Sequence, residues 1–125
     1  MSAAAGSERR RVPRRAFEAP LGLLVNGTYR MEWALRLGEG GVTITSREKL
    51  RLGQRVVVSF VMTNGLTIIV RGVVRNVAAA PAVGPKLGEG DRYGVEFENL
   101  EFHHKREIRS FVASAGGTGG AQAGN

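Results

Sequence analysis

Hydrophobic and polar residues alternate in several short segments of the chain. The clearest segment is 28–36, whose alternate hydrophobic side chains are Tyr29, Met31, Trp33 and Leu35. Because a period of two is typical of a half-buried strand, we predict that these side chains face the core. Residues 16–25 predict the preceding strand, and Asn26-Gly27 between the two segments is typical of a tight hairpin turn.

A second hairpin is predicted on either side of Asn64-Gly65, which we interpret as a two-residue turn. The hydrophobic face of the first strand consists of Val56, Val58, Phe60 and Met62. The hydrophobic face of the return strand consists of Ile68, Val70 and Val74. Arg71 and Arg75 must then point away from that face, and Gly72 is typical of a bulge or bend in a closing barrel.

Two shorter segments predict further strands. Residues 42–45 form one of them, and residues 92–97 form the other. The inward side chains of the last strand are Tyr93, Val95 and Phe97. Together with the two hairpins, this makes about six strands joined mostly by short turns, a pattern that favours a small all-β barrel.

Near the C-terminus the hydrophobic period changes from two to about four, which predicts a helix. Its hydrophobic face consists of His104, Ile108, Phe111 and Val112. We predict Asn99 as the N-cap, Glu101 in the first turn and Gly116-Gly117 as the end of the helix. This helix would plug the barrel, and residues 114–125 are predicted to form a disordered tail.

The composition indicates one domain with an anionic partner. The chain has 125 residues, and 18 Lys+Arg against 11 Asp+Glu give a formal net charge of +7. It contains no cysteine, which excludes disulfides, thiol chemistry and cysteine-ligated zinc. The longest apolar run, residues 56–62, is too short to span a bilayer, and the N-terminus lacks the apolar core of a signal peptide. We therefore predict a cytoplasmic protein without membrane insertion.

The candidate catalytic residues lack the partners that catalysis requires. His103 and His104 are adjacent, so their side chains point to different sides of the helix, and no Asp or Cys stands at metal-ligand spacing. Glu96 and Glu98 alternate with apolar residues, which is typical of the outer face of a strand. We predict that the protein is not an enzyme and that it holds no metal and no cofactor.

An arginine-rich arm, residues 8–15, precedes the first strand. Its arginines are Arg9, Arg10, Arg11, Arg14 and Arg15. A guanidinium group binds phosphate oxygens at two points and stacks on flat π-systems, and Pro13 favours an extended backbone. We predict a flexible clamp for an anionic, nucleotide-like ligand, with a solvated basic tail as the alternative. Residues 1–7 are predicted to be a disordered leader.

The order of these features resembles the PilZ domain, the bacterial receptor module for cyclic di-GMP. An arginine-rich arm, a glycine-rich turn, a valine-rich hairpin, a Tyr-Gly-Val-Glu-Phe strand and a terminal helix follow one another over residues 8–113, a single domain. The resemblance implies a six-stranded antiparallel β-barrel with a C-terminal α-helix, which agrees with the prediction from the hydrophobic pattern. The family's first motif, Arg-x-x-x-Arg, matches Arg10 and Arg14, and a second frame matches Arg11 and Arg15.

The family's second motif, Asp/Asn-x-Ser-x-x-Gly, is matched only at its glycine. Aligned on that glycine, the three positions are Arg36, Gly38 and Gly41. Arginine cannot accept a hydrogen bond, and glycine has no side chain to offer one. The resemblance implies a ligand site with a degenerate second motif, formed by Arg9, Arg10, Arg11, Arg14, Arg15, Arg36, Gly38 and Gly41.

Three functions are compatible with these features. The first is a cyclic di-GMP receptor that passes the signal to an unidentified protein partner, for instance in motility or pilus control. The second is a degenerate PilZ adaptor that does not bind the ligand and acts by protein–protein interaction. The third, a small barrel that binds nucleic acid non-specifically, is disfavoured because aromatic residues make up 6% of the chain and are absent from the arm.

Overall fold

In the part of the chain that the structure describes, six antiparallel strands close into a barrel, and a helix follows the last strand. The structure is a computed structural model that describes residues 13–80 and 86–118; the predicted leader lies outside them. The elements are β1 (Arg14–Val25), β2 (Thr28–Gly38), β3 (Gly41–Ser46), β4 (Arg55–Val61), β5 (Thr67–Ala78), β6 (Asp91–Glu98) and α1 (Phe102–Thr118). The strand order is β1-β2-β3-β6-β5-β4. This confirms the predicted all-β barrel with a C-terminal helix.

Inward side chains of the strands fill the barrel, and α1 packs against β1 and β2. The faces predicted for the second hairpin and the last strand are confirmed by the buried residues Val56, Val58, Phe60, Met62, Ile68, Val70, Val74, Tyr93 and Val95. The ring of Phe17 meets the rings of Phe60 and Phe111 edge to face, with centroid distances of 5.7 and 5.5 Å. Ile108 is fully buried. These contacts fix the helix beside the start of β1.

Strand β2 faces the opposite way from the sequence prediction. Tyr29 and Met31 are 61% and 45% exposed, whereas Glu32 and Ala34 are fully buried. A bulge opposite β3 follows, after which Leu37 points inward. The other two residues of the predicted inward face, both half-buried, are Trp33 and Leu35. The alternating pattern thus predicts the period of this strand correctly but its phase wrongly.

Two arginines explain why a charged side chain points inward from β2. The carboxylate of Glu32 accepts hydrogen bonds from Arg30 Nε and from Arg47 Nε, each at 3.0 Å. Its Oε2 atom also accepts bonds from the Arg47 backbone nitrogen and the Ser46 hydroxyl, each at 3.3 Å. A buried carboxylate is stable only with such partners, and those on Ser46 and Arg47 lie 14 or more residues away in the sequence.

The two hairpin turns differ in length. At Asn26-Gly27 the structure confirms a two-residue turn, with φ angles of 52° and 77°. The two-residue turn predicted at Asn64-Gly65 is wrong, because Met62 and Leu66 are hydrogen-bonded across a three-residue loop. Gly65 donates to the Met62 carbonyl at 2.8 Å and has a φ of 92°. This combination is typical of a type I turn followed by a left-handed glycine.

Helix α1 begins and ends later than predicted. Asn99 has a φ of 53°, a left-handed conformation, whereas an N-cap residue is extended. The amide of Lys105 donates to the carbonyl of Glu101 at 2.8 Å, so Glu101 occupies the N-cap position. The helix continues through Gly116-Gly117, and residues 114–118 of the predicted tail are helical. Glycine lowers helix propensity by about 1 kcal/mol but does not forbid the helical conformation.

Candidate functional site

The glycine-rich turn between β2 and β3 is packed against two other segments of backbone. Gly38 and Gly41 pair with each other across the turn. A Cβ atom on Gly38 would lie 2.6 Å from the carbonyl oxygen of Pro13, and one on Gly41 would lie 2.2 Å from that of Val95. The two glycines therefore allow the arginine arm and strand β6 to approach the turn closely.

Arg14 reaches the same turn from the arm. It is the first residue of β1, pairs with Gly38 and is exposed. It borders a groove of about 260 Å³ on the outer face of the barrel. The groove is lined by Arg14, Gly40, Gly41, Val42, Arg75, Asn76, Gly94, Val95 and Glu96. The end of the arm and the remaining glycine of the second motif thus meet at one groove.

Arg36 lies on the same outer face, beside the groove. It pairs with Ala16 of β1 and Thr43 of β3, and its side chain is exposed. Thr43 pairs in turn with Gly94 of the groove. Among the described residues, Arg14 and Arg36 form no ion pair. Both guanidinium groups can therefore meet an anionic ligand without first breaking a salt bridge to these residues.

Arg15 contacts helix α1 instead of the groove. Its guanidinium carbon lies 4.2 Å from the centroid of the Phe111 ring, and its Nη1 donates to the Phe111 carbonyl at 2.9 Å. A ligand role for Arg15 would have to replace this contact. The other predicted arm residues, Arg9, Arg10 and Arg11, lie outside the described residues.

A two-point ion pair joins the glycine-rich turn to α1. Arg109 donates from Nη2 to Glu39 Oε1 at 2.8 Å and from Nε to Glu39 Oε2 at 3.3 Å. These hydrogen bonds lower the pKa of Glu39 from its ordinary value of 4.5; desolvation opposes the shift, and the charges of Arg109 and Lys105 add to it. The turn and the arm are thus each attached to the helix.

Three polar residues of the groove are absent from the site predicted from the sequence: Arg75, Asn76 and Glu96. Arg75 Nε donates to Glu96 Oε1 at 2.7 Å, from β5 to β6. The Asn76 amide lies against Gly94, where a Cβ atom would be 2.3 Å from Asn76 Oδ1. Alternation correctly predicts that Arg75 and Glu96 point outward. The strand register that places Glu96 opposite Gly41 is not visible in the local pattern.

The chemistry of the groove suits phosphates and bases. It offers guanidinium groups, one carboxylate, one amide and the bare backbone of three glycines.

Within the described ranges, His, Asp and Glu side chains form no group of three that could hold a metal ion. Residues 13–80 and 86–118 also contain no helix with the length and apolar character needed to cross a membrane.

Several solved structures share this architecture, among them these three. The inhibitor of motility MotI (DgrA) of Bacillus subtilis gives a TM-score of 0.73 at 12% identity, over 86% of this chain and 51% of MotI. Borreliella burgdorferi PlzA, solved with cyclic di-GMP, gives 0.62 at 13% identity, over 89% of this chain and 44% of PlzA. The PilZ domain of Escherichia coli YcgR, solved with cyclic di-GMP, gives a TM-score of 0.67 at 17% identity, over 94% of this chain and 98% of that domain.

The chain spans about half of MotI and PlzA and nearly all of the YcgR PilZ domain. At these identities the likeness shows a shared fold. No curated protein matches the sequence significantly. The family model of the PilZ domain matches residues 8–114, which is most of the chain. The protein therefore belongs to the PilZ domain family.

Proposed function

We propose that this protein is a non-enzymatic receptor that binds cyclic di-GMP and passes the signal to a protein partner. One observation carries the proposal. In a PilZ chain, Arg14 of the first motif and Gly41 of the second line the same groove on the outer face of the barrel. Support for the ligand comes from PlzA and the YcgR PilZ domain, which share the fold and were solved with cyclic di-GMP.

The groups around the groove match this ligand. Cyclic di-GMP carries two phosphodiester charges and two guanines, whose O6 and N7 atoms accept hydrogen bonds from a guanidinium fork. Arg14 and Arg36 can supply such forks, and stacking on a base would add ~0.5–2 kcal/mol each. A groove of about 260 Å³ holds one part of the ligand, and the rest would lie over Arg36 and the arm.

Helix α1 is the element through which we propose that the signal leaves the site. Arg15 attaches the arm to Phe111, and Glu39 attaches the turn to Arg109. A ligand that binds the arm and the turn must act on both attachments, which changes the position or the mobility of the helix. A partner that contacts α1 could detect this change. The motility role of MotI supports a partner in motility control.

A second function, a ligand-free adaptor, is favoured by a separate observation. Leu24, Tyr29 and Met31 are exposed on the adjacent strands β1 and β2, and Leu24 pairs with Tyr29. Exposed apolar clusters of this kind are typical of protein–protein contacts. The loss of the family acid and serine at Arg36 and Gly38 would also weaken ligand binding. A buried guanine donor without an acceptor would cost ~1–3 kcal/mol, roughly ten- to hundredfold in affinity.

Calorimetric titration of the protein with cyclic di-GMP tests the proposal. We expect a saturable isotherm, weakened at least roughly tenfold in Arg14→Ala because a charge-assisted contact is lost. The matched control is Arg71→Ala, since Arg71 is an outward arginine of β5 that lines a different groove. Binding should survive this change. Absence of heat at high micromolar ligand would leave the adaptor as the better account.

A further inference from the structure

The ion pair between Arg75 and Glu96 lies at the edge of the groove beside the glycine-rich turn. Its Nε–Oε1 distance is 2.7 Å, and each side chain is 57% exposed. Glu96 pairs with Gly41 across β3 and β6, and a Cβ atom on Gly41 would lie 3.2 Å from Glu96 Cα. The absence of a side chain at position 41 therefore lets β3 and the backbone at Glu96 approach closely.

One hydrogen bond joins the two side chains, from Arg75 Nε to Glu96 Oε1. Within the described part of the chain, Glu96 Oε2 and the two Nη atoms of Arg75 form no hydrogen bond. Arg75 and Glu96 both line the groove, so two guanidinium donors and a carboxylate acceptor stand beside each other at its wall. Asn76, the residue after Arg75, adds an amide against Gly94 on the groove wall.

This order of donors and acceptors matches the edge of guanine. Guanine presents the acceptors N7 and O6, followed by the donors N1–H and N2–H₂. A guanidinium group pairs with the first two atoms, and a carboxylate pairs with the last two. Adenine presents a donor at position 6 and an acceptor at N1. The guanidinium donor would then face a donor and the carboxylate would face an acceptor, so both contacts would be repulsive. Such an arrangement would favour guanine over adenine.

We propose that Arg75 and Glu96 form a guanine-binding subsite, in which Glu96 replaces the acceptor that the second motif lacks at Arg36. The inference rests on the proposed function and names the residues that would recognise one base of cyclic di-GMP. It explains how the protein binds a guanine nucleotide although two of the three positions of that motif have changed. It also assigns a ligand role to two residues outside both family motifs.

The direction in which Glu96→Ala changes the affinity for cyclic di-GMP distinguishes a ligand contact from a surface charge. An exposed cross-strand ion pair contributes little to stability, so Glu96→Ala should fold normally, as circular dichroism can verify. If Glu96 is only a surface charge, its removal favours a dianionic ligand and releases Arg75, so affinity stays equal or rises. If Glu96 holds a guanine, cyclic di-GMP binding falls by roughly ten- to hundredfold.

The experiment is a calorimetric titration of wild type, Glu96→Ala and the isosteric Glu96→Gln with cyclic di-GMP. The matched control is Glu98→Ala, which removes the next outward carboxylate of the same strand and should not weaken binding. The wild-type protein is also titrated with the analogue in which hypoxanthine replaces guanine and the 2-amino group is missing. We expect weaker binding of the analogue, with the difference abolished in Glu96→Ala.

Three outcomes overturn the inference: two reject the subsite alone, and one rejects the proposed function with it. If wild type binds cyclic di-GMP but Glu96→Ala binds equally or more tightly, the subsite is wrong and the proposed function stands. The subsite is also wrong if the analogue binds wild type as tightly as cyclic di-GMP does. If wild type binds neither nucleotide, the proposed function fails together with the subsite.

Discussion

Arg14 and Arg15 are neighbours in β1, yet Arg14 borders the groove while Arg15 packs on Phe111 of α1. Successive side chains of a strand point to opposite faces, so one short segment of backbone serves both contacts. A ligand that pulls on Arg14 therefore acts on the segment that holds Arg15. The two arginines can be replaced separately, which allows the ligand contact and the helix contact to be tested apart.

Replacement of Arg15 by alanine is expected to loosen α1 while leaving the groove intact. The hydrogen bond and the cation–π contact to Phe111 together contribute about 1–2 kcal/mol. Hydrogen exchange of the helix amides near Phe111 should therefore accelerate by roughly five- to thirtyfold. Arg14→Ala is the matched control and should leave this exchange unchanged. Equal exchange in the two variants would contradict the assignment.

Removal of Arg109 is expected to raise the pKa of Glu39 toward 4.5. The Arg109 hydrogen bonds lower this pKa, so their contribution to stability is present above pH 4.5 and is lost as the pH falls through the folded-state pKa. The difference in unfolding free energy between wild type and Arg109→Ala should therefore decrease as the pH falls from 4.5 through the folded-state pKa of Glu39.

Carboxyl NMR titration measures the Glu39 pKa directly. Lys105→Ala serves as the control, because Lys105 acts on Glu39 only through a weaker charge attraction. It should raise the pKa less than Arg109→Ala does. A larger effect from Lys105 would show that the two-point ion pair is not the main cause of the shift.

A side chain at position 38 is expected to displace the arm instead of restoring the family motif. In Gly38→Ser, the Cβ atom would lie 2.6 Å from the Pro13 carbonyl oxygen, so the arm must move. Such overpacking costs about 1–3 kcal/mol. Gly41→Ala should cost more, because its 2.2 Å clash is with the Val95 carbonyl inside the barrel sheet. Urea unfolding measures the loss of stability in each variant. A larger loss in Gly38→Ser than in Gly41→Ala would contradict the packing of the turn.

Glu32→Ala, which removes the buried carboxylate, is expected to destabilise the barrel by about 3 kcal/mol. This is the lower end of the effect of breaking a buried ion pair. The lower end applies because Arg30 and Arg47 are 31% and 24% exposed and can reach water. Glu48→Ala is the control, since that carboxylate is half exposed, and it should change stability by less than about 0.5 kcal/mol. Denaturant unfolding of the two variants compares them, and similar values would contradict the buried position of Glu32.

The sequence predicted the fold well where hydrophobic burial alone sets the face of a strand. Strands β4, β5 and β6 have apolar inward positions and matched the prediction. In β2 one inward position is occupied by Glu32. It is stable there because Arg47, the residue after β3, donates a hydrogen bond to its carboxylate. A local pattern contains the period of a strand, but its phase depends on such distant partners.

The candidate site was predictable to the extent that it follows the family motifs. Arg14 and Gly41 were predicted as site residues, and the structure brings them to one groove. Arg75 and Glu96 were predicted to point outward, but nothing local connects them with Gly41. Their position depends on the pairing of β3, β5 and β6, which only the closed barrel establishes.

An NMR titration of ¹⁵N-labelled protein with cyclic di-GMP tests most directly whether the ligand binds at the groove beside Gly41. We predict saturable shifts of the amides that line the groove, in particular those of Gly41, Asn76 and Gly94. The amides of Ile69 and Arg71, which line another groove, should change little. Unchanged spectra at high micromolar ligand, or shifts confined to Ile69 and Arg71, would contradict binding of cyclic di-GMP at this groove.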